Sequence, residues 1–233
     1  MILSNMDVIV YFDLDGVLAD MEGGLMQNTE LVGLRKILDD LIDTKFTEYK
    51  GLVDDDIKSK FKAELEQNPE SPVKELKKAF NKYTSKVFSI AAKPGFYANL
   101  PLMEGAKEMV AKAKELTGKL PHILSSPVGD ENDPTNPSVQ EKKDWVKSNF
   151  GDMVDKIIIT TDKASVVKDK CCLLIDDRPK YVNVFTAAGG SAILHKKSVD
   201  TISQMEQLVP KLSSMTENKK WVMTFESFRK TQS

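Results

Sequence analysis

The chain has 233 residues, 41% of them hydrophobic and 29% charged, with a net charge of −2. This is the balance of a globular protein with one sizeable core and room for a smaller subdomain. It offers no strong field to nucleic acid or to an anionic membrane, and no apolar stretch approaches the ~20 residues of a membrane span. The N-terminus shows no basic region followed by an apolar core and a cleavage site, so the reducing cytoplasm is the expected location.

The first predicted strand covers about Asp7 to Phe12. Its apolar run ends abruptly in Asp13 and Asp15, with Gly16 free to turn the chain sharply. Residues 21–98 hold no comparable strand. Leu31, Leu34, Ile37, Leu38 and Leu41 follow helical spacing, as do Ile57, Phe61 and Leu65. Val73, Leu76, Phe80, Tyr83 and Val87 repeat the pattern after Ser71-Pro72, a helix start. Gly51 and Asn68-Pro69 punctuate the region. A helix marked by Ala106, Met109, Val110, Ala113 and Leu116 ends at Gly118, and His122 to Leu124 form a strand leading to Ser125-Ser126. Residues 127–138 read as a loop, Glu141 to Asn149 as a short helix, and Lys156 to Thr160 and Lys170 to Ile175 as strands. A turn at 186–190, a strand from Ser191 to Leu194 and a helix near 199–212 follow. Alternation of helices and short apolar strands predicts a Rossmann-like α/β core, a parallel sheet with helices on both faces. The tail is ambiguous: Trp221, Phe225 and Phe228 fit a helix, and Trp221, Met223 and Phe225 alternate like a strand.

Ligands of open α/β sheets bind at the C-terminal ends of the strands. Two carboxylates placed there repel each other and lose water, so they need a cation, and hard oxygen ligands suit Mg²⁺. An isolated Asp-x-Asp is usually a solvated turn. Here a second apolar strand, Cys171 to Ile175, also ends in paired acids, Asp176 and Asp177, followed by Arg178-Pro179. Cys171 and Cys172 fall on opposite faces of that strand and read as small buried hydrophobes.

The run Asp13-Leu14-Asp15-Gly16-Val17-Leu18-Ala19-Asp20 resembles the first motif of the haloacid-dehalogenase-like phosphohydrolases. The fragments Asp20-Met21-Glu22-Gly23-Gly24, Pro94-Gly95-Phe96-Tyr97, Leu100-Pro101, Ser125-Ser126-Pro127, Glu141 to Val146, Thr161-Asp162-Lys163 and Leu173 to Pro179 narrow the resemblance to the 5'(3')-deoxyribonucleotidase family. They cover about half the chain, in the family's order.

The resemblance implies a Mg²⁺-dependent phosphomonoesterase acting on (deoxy)ribonucleoside monophosphates through an aspartyl-phosphate. Asp13 is then nucleophile and metal ligand. Asp15 is the acid/base and a ligand through its backbone carbonyl, Asp177 is the remaining ligand, and Asp176 orients a bound water. Ser125, where the family commonly has Thr, binds phosphate, with Ser126 beside it. Lys163 neutralises charge, with Lys168 and Lys142 as substitutes. Phe96 and Tyr97 stack on the base, and Met21 stands where the family often has an aromatic. Residues 1–20 and 100–233 form the catalytic core, and 21–99 an inserted helical cap. Two rivals remain: a same-mechanism phosphatase for another small phosphoester or a nucleic-acid end, and a non-enzymatic regulator on the same fold. Lys74, Lys78, Lys82 and Lys86 read as a solvated basic stripe or a surface that draws in phosphorylated substrates. A homodimer is left open.

Overall fold

In the computed structural model, residues 8–130, 132–133, 135–168 and 171–230 are described, with side chains through residue 214. Five parallel strands lie in the order β3-β2-β1-β4-β5, with β1 Ile9–Phe12, β2 His122–Ser125, β3 Ile157–Ile159, β4 Cys172–Asp176 and β5 Ser191–Leu194. β1 sits at the centre, paired to β2 on one side and β4 on the other. The chain builds outward to β3, then crosses to β4 on the opposite side. The strand order therefore reverses beside β1, where such sheets open a crevice.

Both faces of the sheet are covered, which is why its strands read as continuous apolar runs. Val10, Phe12, Leu173 and Ile175 point into one cluster, with Met109 and Val110 of α5 (Ala106–Thr117), Trp145 of α6 (Pro137–Phe150) and Met205 of α8 (Ser198–Lys230). Tyr11, Leu124, Cys172 and Leu174 point the other way, onto Phe185 of α7 (Pro179–Ala187). The adjacent cysteines accordingly lie on opposite faces.

Before these, Met21–Met26, Thr29–Thr44, Asp54–Gln67 and Val73–Ala91 form α1 to α4. They pack on their own cluster, drawn wholly from residues 25–90, in which Leu31, Leu76 and Phe80 are buried. Each such side chain stabilises the packing by about 1.5–3 kcal/mol relative to exposure. Ile37, expected on the inner stripe of α2, is 54% exposed. Of the basic stripe on α4, Lys86 pairs with Glu30 and Lys74 with Glu70, both at the surface. The helical segment leaves and rejoins the sheet at one place. The Asp20 N–H donates to the Pro101 carbonyl (2.9 Å) and the Met103 N–H to that of Leu18 (2.8 Å). Met21 and Phe96 touch both hydrophobic clusters.

Three elements differ from expectation. α6 begins at Pro137, not Glu141, because Asn136 caps it through the Ser138 N–H and Pro137 takes a first-turn position that needs no N–H. α7 was hidden behind Arg178-Pro179, which starts the helix and does not only end the strand. The tail backbone continues α8 to Lys230 as a helix, but the side chains of Trp221, Met223, Phe225 and Phe228 lie outside the described residues, as does Asp7. Among the described residues, no helix is long and apolar enough to cross a membrane.

Candidate active site

The C-terminal ends of β1, β2, β3 and β4 converge on one set of charged side chains. The Asp13 N–H donates to the Ile175 carbonyl (2.9 Å), which fixes Asp13 beside the end of β4. Gly16 then turns the chain with φ +75°. A Cβ on Gly16 would lie 2.5 Å from Asp177 Oδ2, so glycine is needed both for the turn and for the approach of that carboxylate. Asp13, Asp176 and Asp177 each offer a carboxylate oxygen within 4.8 Å of the others. Two ionised carboxylates at that separation repel by roughly 3 kcal/mol at an effective dielectric of about 20. Burial, reinforced by the Asp13 charge, pushes Asp176 up to about 6 and Asp177 up to about 7. Burial raises Asp15 as well, against the opposing pull of Lys142 and with a further push from Asp13.

Two buried lysines divide this charge between them. Lys163 Nζ donates to Asp176 Oδ2 (2.6 Å) and stands 2.9 Å from Asp13 Oδ1, a contact of distance and charge without hydrogen-bond direction. Burial pulls Lys163 down, but Asp13 and Asp176 outweigh it and hold the ammonium above the ordinary lysine value. Lys142, fully buried, donates from Nζ to Asp15 Oδ2 (2.6 Å), the Ser126 carbonyl (2.5 Å) and Ser125 Oγ (3.2 Å). Its helix is tied down on either side. Glu141 accepts from the Gly95 N–H (2.5 Å) and the Tyr97 N–H (3.2 Å), and the Trp145 indole donates to the Leu100 carbonyl (2.8 Å). The Ser126 hydroxyl donates to the Tyr181 hydroxyl (3.2 Å), and the Tyr181 ring lies 4.4 Å from Lys163 Nζ.

Among the described residues, the buried side-chain atoms that lack a hydrogen-bond partner are Asp13 Oδ1, Asp15 Oδ1, Asp177 Oδ1, the Tyr97 hydroxyl and His122 Nδ1. Four of the five belong to this cluster. Leaving a buried polar group unpaired costs about 1–3 kcal/mol, more for a charge. Carboxylates that crowd within 4.8 Å of one another and keep oxygens free of hydrogen bonds are what a hard divalent cation takes up, so this donor set fits Mg²⁺. Asp13 and Asp177 each keep an oxygen without a hydrogen bond. Both Asp176 oxygens are engaged, one by Lys163 and the other by the Arg178 N–H (2.9 Å).

Of the residues singled out from sequence, Asp13, Asp15, Ser125, Lys163, Asp176 and Asp177 come together here, with Ser126 linked through Lys142. Met21 and Phe96 stand at the junction of the two clusters. Lys142, named only as a substitute for Lys163, joins it instead. Tyr97 departs from its expected base-stacking role: it is fully buried within the sheet-side core, edge-on to Phe96 at 5.1 Å, with no face open to a base. Its neighbour Phe96 is the partly exposed member of the pair.

A parallel sheet that gathers a buried carboxylate, an acid pair and two lysines at its strand ends defines a haloacid-dehalogenase-like phosphohydrolase. Residues 35–208 match the family described as "5' nucleotidase, deoxy (Pyrimidine), cytosolic type C protein", and the chain belongs to that family. It is thus a phosphatase of the nucleotidase type. The match takes in Ser125, Lys142, Lys163 and Asp177, and Asp13 and Asp15 precede it. The human cytosolic-type 5'(3')-deoxyribonucleotidase is 31% identical over 173 residues, which is 73% of this chain and 71% of that one. The mouse mitochondrial 5'(3')-deoxyribonucleotidase is 28% identical over 171 residues, 73% of this chain and 64% of its own. A haloacid-dehalogenase-superfamily hydrolase of Ehrlichia chaffeensis superposes with a TM-score of 0.46 at 15% identity, covering 89% of this chain and all of that one.

Proposed function

We propose that the chain is a Mg²⁺-dependent phosphomonoesterase that hydrolyses (deoxy)ribonucleoside monophosphates through an aspartyl-phosphate on Asp13. The observation that carries this reading is a buried Asp13 with two further carboxylates within 4.8 Å and Lys163 at 2.9 Å. In this reading Asp13, Asp177 and the Asp15 backbone carbonyl hold the metal, which when bound neutralises the phosphate and the surrounding carboxylates. An Asp13 oxygen attacks phosphorus, and the bond from phosphorus to the ester oxygen breaks. Asp15, protonated, gives its proton to the departing alcohol. It then takes a proton from water as that water attacks phosphorus and releases Asp13 and inorganic phosphate. Ser125, Ser126 and Lys163 bind the phosphoryl oxygens. Residues 1–20 and 100–233 act as the catalytic core and 21–99 as a cap over Asp13. The cytosol is the proposed location, which fractionation of the tagged chain tests.

Phosphate release from a panel of nucleoside monophosphates, sugar phosphates and phosphorylated oligonucleotides, with Mg²⁺ and with chelator, tests the whole reading. Nucleoside monophosphates are expected to be the best substrates. A sugar phosphate outpacing every nucleotide would leave the phosphatase chemistry and remove the nucleotidase assignment.

Phe96 is assigned to base contact, where stacking is worth ~1–3 kcal/mol. Phe96→Ala is expected to raise KM for a nucleotide by roughly 5- to 100-fold while p-nitrophenyl phosphate is turned over with little change. Equal losses on both would make Phe96 a packing residue only.

The metal has a readout apart from activity. Asp176 and Asp177 titrate near 6 and 7 in the folded chain against an ordinary value of 3.8. Between those limits the folded state holds protons that the unfolded state has released. The metal-free protein thus has this contribution in full below about pH 4 and loses it as pH rises through 6 and 7. Magnesium binds only the deprotonated acids, so its upward shift of the melting temperature should be larger at pH 8 than at pH 6. Asp177→Ala should diminish that shift more than Asp176→Ala does. The reverse order would put Asp176 in contact with the metal.

A further inference from the structure

The Tyr97 hydroxyl and Asp15 Oδ1 are both buried and without a hydrogen-bond partner, and the phenol is near enough to Asp15 to feel it as charge and acceptor. The residue has no exposed surface and its hydroxyl makes no hydrogen bond. Asp15 Oδ1 is also buried and also without a partner, while Asp15 Oδ2 accepts from Lys142 Nζ at 2.6 Å. That same Nζ lies 4.7 Å from the centre of the Tyr97 ring. Tyr97, Lys142 and Asp15 therefore form one packed group, with the ammonium in reach of both ring and carboxylate. The phenol is driven well above its ordinary range by burial first, then by the charges of Asp15 and Asp13 and by Asp15 as a neighbouring acceptor, so the hydroxyl keeps its proton. Its backbone is held by Glu141, the residue before Lys142. The sheet-side core encloses the ring, so it has little freedom to turn away.

We propose that Tyr97 is a positioning residue for Asp15: its hydroxyl donates to Asp15 Oδ1 in the working site, so that Lys142 grips one carboxylate oxygen and Tyr97 the other. The inference rests on the reading of Asp15 as the acid and base. A carboxyl held at both oxygens cannot rotate about its terminal bond, and its proton is presented along one direction. Held at one oxygen only, it samples other orientations, and a misplaced catalytic group is costly in rate.

Tyr97→Phe removes the hydroxyl and keeps the ring. With thymidine 5'-monophosphate and Mg²⁺, kcat is expected to fall about ten- to a hundredfold with KM within about twofold of the parent. The loss should be smaller with p-nitrophenyl phosphate, whose leaving group needs less help from an acid. The melting temperature should stay the same or rise, since a buried unpaired hydroxyl is gone. In an Asp15→Asn background the same change should cost nothing further, because its partner's role is already lost. A kcat within twofold of the parent, or the same loss in both backgrounds, overturns the inference. Full activity in Asp15→Asn alone would remove the acid–base reading, and this inference with it; a slow Asp15→Asn enzyme beside a fast Tyr97→Phe enzyme overturns the inference alone.

Discussion

Asp13→Asn should reduce turnover on any phosphomonoester by on the order of 10⁴-fold or more, the scale on which removal of a nucleophile acts. An amide oxygen is a weak nucleophile toward phosphorus and a weaker metal ligand than a carboxylate. The local structure should survive. The Asp13 side chain is buried but accepts no hydrogen bond at Oδ1, and its backbone N–H, bonded to the Ile175 carbonyl, is untouched by the change. One negative charge leaves a crowded cluster, so Asp176 and Asp177, both raised partly by Asp13, should titrate lower in the variant. Melting temperature at pH 7 should hold or increase while activity disappears. Beryllium fluoride, which mimics a phosphoryl group on a carboxylate, should inhibit the parent and fail to protect the variant from heat. Full activity in Asp13→Asn would rule out the aspartyl-phosphate route.

Much of this arrangement could be read from the residues because it obeys short-range rules. A strand buried on both faces is an apolar run, and a functional acid at its end breaks that run visibly; Asp13 and Asp176 both do so. The helical segment between residues 21 and 91 announced itself by spacing and by the Ser71-Pro72 helix start, where the Ser71 hydroxyl accepts from the Val73 N–H. What stayed hidden depends on packing across long separations. Lys142 lies 127 positions from Asp15. A signal was nonetheless present: Ser138, Lys142, Trp145 and Val146 fall on one stripe of α6, and all four are buried. A lysine on an apolar stripe must find a carboxylate, whereas Lys143 beside it faces outward enough to need none. For Phe96 and Tyr97 no local signal separates the two rings. The Glu141 carboxylate and the approach of α6 decide which one turns inward. The helix α7 has no counterpart among the predicted elements, which hold only a turn at 186–190 there, although proline is favoured in a first turn.

Asp15→Asn is expected to lower kcat by roughly 10²–10⁴-fold, the usual worth of a positioned general acid and base. An amide can neither protonate the departing alcohol nor accept a proton from water. Lys142→Met should follow it at about 10²–10³-fold, the cost of removing one preorganised donor from a closed site. The ammonium does three things at once. It offsets the charge of Asp15, fixes the Ser126 carbonyl, and reaches Ser125 Oγ at 3.2 Å. Without it, burial and the Asp13 charge act on Asp15 against the pull of Lys163 alone, and the carboxyl should hold its proton to higher pH. The acid step then keeps its proton, but the base step loses the ionised form that must accept one from water. Lys142→Met should accordingly accumulate phosphorylated enzyme, visible as a burst of alcohol release ahead of slow phosphate release. Lys142→Arg preserves the charge but forces a larger planar group into a fully buried position, so it should restore little. The double change Asp15→Asn, Lys142→Met should be scarcely slower than Asp15→Asn, because the lysine acts largely through that carboxylate. Losses that multiply would instead mean that Lys142 acts mainly on Ser125 and Ser126, at the phosphate.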